Sequence, residues 1–174
     1  MKRWIAVASV ALLCAAAPLF APQTWTQHGA FPDVAALAVL YVAIAATPER
    51  AAVLGMAIGF ARSLWSSDPV GLDAALYGGL GWSGAQFGRA VFDDRLLVKM
   101  CVAAAGVVAL RALAAGAAFV TSVPDGGLGV SFLTWAAATF AAAFATAIAA
   151  PVAFTILSTS RVFAPLERGS RRDV

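Results

Sequence analysis

Residues 126–160 contain no Asp, Glu, Lys or Arg, and this uncharged length narrows what the chain can be more than any other feature. A helix over such a run offers water none of the charge that a soluble surface carries. The pattern repeats, with apolar stretches near 4–21, 34–47, 50–66, 71–91, 97–120 and 131–158. Most approach the roughly 20 residues that a helix needs to cross a bilayer core. With 61% of residues hydrophobic and 12% charged, a water-soluble domain of this size would lack polar surface. The expectation is an all-α polytopic membrane protein, a six-transmembrane-helix bundle with one integral membrane domain over 1–160 and a basic tail over 161–174. The second and third stretches are short enough to be halves of a buried hairpin instead.

Residues 1–21 also fit a secretory signal, since Lys2 and Arg3 precede an apolar run that reaches small residues at Ala15, Ala16 and Ala17. An uncleaved first span is favoured, because the run contains Trp4 and continues past Pro18 through Leu19 and Phe20. With the N-terminus inside, Lys2, Arg3, Arg50, Arg89, Arg95, Lys99, Arg161, Arg168, Arg171 and Arg172 all fall on the cytoplasmic side. The outer loops near 22–32, 67–70 and 121–130 hold no Lys or Arg, a positive-inside pattern with both termini cytoplasmic. Topology accounts for the net charge of +3, and nothing in it points to nucleic acid.

Catalytic and metal signatures are missing from the sequence. Cys14 and Cys101 sit in different spans, and His28 is the single histidine, in an outer loop without a second metal-ligating neighbour. There is no Gly-x-Ser-x-Gly elbow, no His-Glu-x-x-His and no Walker-type loop. Asp93 and Asp94 stand beside Arg95 at a cytoplasmic boundary and read as a solvated connection. The expectation is no enzyme and no cofactor.

Loops and small residues predict how the spans pack. Thr47-Pro48-Glu49 and Ser67-Asp68-Pro69 carry helix-start chemistry, so spans two, three and four should be antiparallel neighbours. Gly55 and Gly59 on the third span, and Gly84 and Gly88 with Gly81 on the fourth, have the spacing that lets helix backbones approach closely. Pro151 is expected to kink the sixth span.

Three charges interrupt the apolar stretches. Arg62 ends the third span, Asp73 begins the fourth and Arg111 lies in the outer half of the fifth. A charge at membrane depth costs several kcal/mol unless it snorkels or finds a partner. Arg62 can snorkel to the headgroups. Arg111 is too deep for that and calls for an acceptor, either Asp73 or backbone carbonyls. Arg62, Asp73 and Arg111 are expected to form an intramembrane polar network joining spans three, four and five.

The order of motifs over residues 31–81 resembles the rod-shape-determining membrane protein family MreD. The residues that carry this are Pro32 and Asp33 entering an apolar run with Tyr41, Pro48 before a span with Gly55 and Gly59, and the turn through Ser66, Pro69 and Gly71. Outside that stretch the six-span plan, Pro151 and the basic tail agree. The chain departs from the family where Ser63-Leu64 and Ser66-Ser67 replace an expected Asp-Leu and Ser-Gly, leaving an acid absent from the third span that Asp73 is expected to supply. The resemblance implies an S-component-like fold and a non-enzymatic scaffold of the cell-elongation machinery in the bacterial cytoplasmic membrane. Its implied partners are MreC, MreB and the glycosyltransferase and transpeptidase of lateral peptidoglycan synthesis, besides the lipid bilayer.

A transport reading stands beside it: the substrate-binding S-component of an energy-coupling-factor vitamin transporter. There Ala11 and Ala15 would form a small-residue face on the first span, and the outer loops with the charged trio would line a substrate pocket. A lipid-facing assembly protein of another pathway is the third reading.

Overall fold

The computed structural model describes residues 9–10, 12–20, 31–65, 71–91, 96–121 and 128–160. Ser66, Pro69, the Ser67-Asp68-Pro69 cap, His28, Asp93, Asp94 and the basic tail lie outside the described residues. Those described fold as helices, with no strand among them. A helical segment over 12–16 runs into a 3-10 turn, Ala17–Phe20, and places Ala15 in the core. Five helices follow: α1 Val34–Ala45, α2 Pro48–Ser63, α3 Leu72–Val91, α4 Leu96–Thr121 and α5 Leu128–Ser160.

Each helix occupies one of the apolar stretches, and its ends have identifiable causes. Asp33 caps α1, its Oδ1 accepting the Ala36 amide at 3.0 Å. Pro48 opens α2, where its missing N–H costs nothing. Thr47 holds the N-cap position with an extended backbone, but its hydroxyl makes no capping bond, contrary to the sequence expectation. The proline and Glu49 carry the start instead. Gly71, at φ 102°, makes the left-handed turn into α3 that other residues rarely adopt. Pro151 lies inside α5, which continues as helix to Ser160.

α1 is apolar on every face because every face is covered. Ala35, Ala36, Leu37, Ala38, Val39, Leu40, Val42 and Ala43 are all buried, and α2, α3, α4 and α5 each pack against it. Contacts fix the directions of the other helices. Asp33 meets Thr146, and the Tyr41 and Phe154 rings lie tilted with centroids 6.0 Å apart, so α5 runs parallel to α1 in constant register. Tyr77 meets Asp33 while Gly84 faces Leu40 and Ala43, so α3 is parallel as well. α2 runs antiparallel to α1, with Arg62 at Asp33 and Ala51 packed among Val42, Ala43 and Ala46. α4 is likewise antiparallel, with Gly106 against Leu40 and Arg111 at Ala138 of α5. The helices therefore alternate in direction along the chain.

Along α5 side-chain sizes are inverted relative to a water-soluble helix. Its inward positions carry small residues at Ala142, Ala143 and Ala150, packed on the larger buried side chains of α1. Large apolar side chains face outward along α5 at Phe140, Phe144, Ile148, Val152 and Ile156, four residues apart, with Phe144 69% exposed. α2 repeats this with Val53, Met56, Phe60 and Leu64. In water the arrangement would leave the most costly surface outside. In hydrocarbon it is the favourable one, since small residues let helices approach while large ones meet lipid.

Among the described residues, two helices, over Val98–Ala117 and Thr134–Thr159, are long and apolar enough to cross a membrane. Only 17% and 33% of their most apolar windows is buried, so neither resembles the enclosed core helix of a soluble domain. α1 and α2, at 12 and 16 residues, fall short of that length.

Candidate functional site

The closest helix contact builds the site. A side chain on Gly55 would collide with the Tyr77 carbonyl, one on Gly59 with the Asp73 carbonyl, and one on Gly81 with the Ala51 carbonyl. These three rungs step four residues along α2 and four back along α3, so the glycines set the backbone spacing at which Asp73 and Tyr77 stand beside α2. Gly81 rather than Gly84 is the fourth-span glycine in this seam. Gly84 faces Ala43 and Leu40 of α1, and the surroundings of Gly88 lie outside the described residues.

Asp33 is the hub. Its Oδ1 and Oδ2 accept from Nη1 of Arg62 at 3.2 and 3.3 Å, and Oδ2 also accepts from the Tyr77 hydroxyl at 2.8 Å. The same Arg62 nitrogen donates to the Tyr77 oxygen at 2.7 Å, with the guanidinium carbon 5.5 Å from the ring centroid. The Asp33 amide donates to Thr146 Oγ1 at 2.9 Å, and that hydroxyl passes its proton bond to the Ala142 carbonyl at 2.7 Å. One residue thus joins α1, α2, α3 and α5. Thr146 lies 18 residues after Leu128 and 14 before Ser160, so the cluster meets α5 near its middle, while Asp33 caps the start of α1 and Arg62 stands in the last turn of α2.

The expected network is partly redrawn. Arg62 turns inward instead of snorkelling, and its hydrogen-bonded acid is Asp33 rather than Asp73. Asp73, 8% exposed, stands 3.9 Å from Arg62 Nε, an ion-pair distance beyond hydrogen-bond range. Asp33, at the start of the preceding helix, is therefore the hydrogen-bonded counter-charge of Arg62. Arg111 bonds the Ala138 carbonyl at 3.2 Å, the backbone alternative of the two expected, while remaining within Coulombic reach of Asp33, Arg62 and Tyr77. It ties α4 to α5 instead of joining Asp73.

Of the motif residues, Pro32 has its carbonyl bonded to the Val34 amide and Tyr41 packs on Phe154, while Pro48 and Gly71 serve the helix starts. Gly55 and Gly59 form the seam. Sequence reasoning missed Tyr77 and Thr146. Tyr77 lies one turn after Asp73, and its position on the acid's face was the available signal. Thr146 had none beyond being polar in an alanine-rich run. Among the described residues no group of three or more His, Cys, Asp or Glu could hold a metal, and Cys14 and Cys101 are free.

Chemically, the cluster is a lock. Asp33, Arg62 and Tyr77 each face a partner of opposite character on another helix, which offsets the cost of taking charge out of water. No family model matches the chain, and neither a curated protein nor a solved structure matches it.

Proposed function

We propose that the chain is a six-span, multi-pass protein of the bacterial cytoplasmic membrane, with both termini cytoplasmic, acting as a non-enzymatic scaffold of the MreD type. In this role it binds MreC and couples the MreB filament to lateral peptidoglycan synthesis by the elongation glycosyltransferase and transpeptidase. The observation that carries the scaffold reading is the Asp33, Arg62 and Tyr77 triangle. Its groups bond one another across three helices, which suits a rigid body better than a turnover site. The motif resemblance over residues 31–81 supplies the pathway, the alternation of helix direction supports repeated crossing, and the outward Phe and Ile rows suit lateral contact with lipid or helices.

Co-isolation from mild detergent tests the reading. An MreC-like single-span protein should accompany the tagged chain, and depletion should turn rod cells round. Unchanged rods, with a vitamin and an ATPase pair retained instead, would replace the scaffold with the transport reading.

A further inference from the structure

The outward row of α3 differs in kind from those of α2 and α5. Ala75, Gly79, Trp82 and Gln86 are exposed, Trp82 by 53%. At about 100° per residue the four fall within roughly 60° of one another. They stand opposite Tyr77 and Gly84, which meet α1, so the row points away from the bundle. The exposed rows of α2 and α5 are apolar, as at Phe60 and Phe144, and hydrocarbon alone satisfies them. It does not satisfy Gln86.

A glutamine amide carries two N–H donors and a carbonyl acceptor. Among the described residues the Gln86 side chain makes no hydrogen bond, and neither does the Trp82 indole one turn earlier. Ser83, between them, returns its hydroxyl to the Gly79 carbonyl at 2.7 Å and so meets its own need within α3. The depth of Gln86 follows from the register of the parallel helices. Gly84 faces Leu40 and Ala43 of α1 while Phe154 meets Tyr41, so Gln86 and Ile156, each two residues further on, lie at nearly one level. Ile156 is 62% exposed and Phe87 69%, so apolar side chains of two helices border that level. An amide left unpaired against hydrocarbon costs several kcal/mol, which implies a polar partner.

We infer that this row is a self-association face, where α3 of one copy meets α3 of a second copy across a two-fold axis along the membrane normal. Copies inserted in the same direction have parallel α3 helices, and a two-fold axis brings each residue near it to its own counterpart. An amide is its own complement, because one Gln86 can donate to the carbonyl oxygen of the other and accept in return. A charged side chain there would repel its copy. Gly79, where an added Cβ meets nothing within 4 Å, leaves room on the same row for a second helix. The inference rests on the membrane placement proposed above and not on the elongation role.

The full-length chain, with Cys14 and Cys101 replaced by Ala and a fluorophore on an added C-terminal tag, is reconstituted in phosphatidylcholine vesicles at a series of lipid dilutions. Counting bleaching steps should show a dimer that dissociates on dilution. Gln86→Leu keeps bulk and helix preference, removes the amide at an exposed position, and should weaken dimerisation about threefold or more, as for one lost interhelical side-chain hydrogen bond. In the same background Gly79→Cys should be joined to its counterpart by a short thiol-to-thiol crosslinker, whereas Ile148→Cys, on the outward row of α5, should not. Monomers at every dilution, or a dimer whose strength Gln86→Leu leaves unchanged, overturn the self-association. Monomers in vesicles with Gly79→Cys crosslinked to a different protein in native membranes give the row to a foreign helix, and overturn it as well. In either case a label at position 144 that stays shielded from a water-soluble chelate leaves the membrane placement standing, so the two failures are told apart.

Discussion

The Tyr77 hydroxyl and the Asp33 carboxylate, 44 residues apart in sequence, meet at 2.8 Å at the N-terminal end of the central helix. The phenol donates to Asp33 and accepts from Arg62, so one oxygen serves both charged partners. Tyr77→Phe keeps the ring and removes both bonds. It should cost about 1–3 kcal/mol of stability, the range for leaving charged partners less satisfied, measured by unfolding in mixed micelles.

Asp33 and Asp73 should separate in strength. Asp33→Ala strips Arg62 of its hydrogen-bonded counter-charge and α1 of its cap, and should destabilise by about 3–5 kcal/mol. Asp73→Ala removes a partner at 3.9 Å and should cost less than half as much. Equal losses, read from melting of the two variants in one detergent, would restore Asp73 as the principal partner.

The glycine seam gives an internal control. Gly55→Ala and Gly59→Ala place a methyl group against carbonyls of α3 and should lower the melting point. Gly79→Ala and Gly116→Ala meet nothing within 4 Å and should leave it unchanged or raise it, by up to about 1 kcal/mol of helix preference.

Much of the bundle was legible in the sequence because lipid-type patterning acts over whole helices. The stretches near 34–47, 50–66, 71–91, 97–120 and 131–158 match α1 to α5 within a few residues, since charges and prolines mark the ends. The site was legible only in part. Arg62 and Asp73 stand out because charge is scarce. Asp33 entered the reading as a motif residue at a helix start, and a cap's second duty to a distant arginine leaves no local trace. Its partnership depends on the glycine seam and on the parallel register of α1 with α5, both long-range outcomes of packing. The same holds for Gly81, whose choice over Gly84 is decided by which face α3 turns toward α2.

Inverted packing makes its own prediction. Ala142→Leu inserts volume where nothing is exposed and should cost about 1–3 kcal/mol, whereas Phe144→Ala, on the outward row, should change stability in a bilayer by less than about 0.5 kcal/mol. Urea unfolding of both variants in lipid nanodiscs checks the contrast.

Depth measurement by a nitroxide at position 144 tests the membrane assignment most directly. In a variant with Cys14 and Cys101 replaced by Ala and Phe144→Cys spin-labelled in reconstituted vesicles, the label should collide freely with oxygen and remain shielded from a water-soluble nickel chelate. A label reached by the chelate as readily as one on an exposed soluble helix would contradict a hydrocarbon-facing α5, and with it the account of the bundle as a membrane-embedded body.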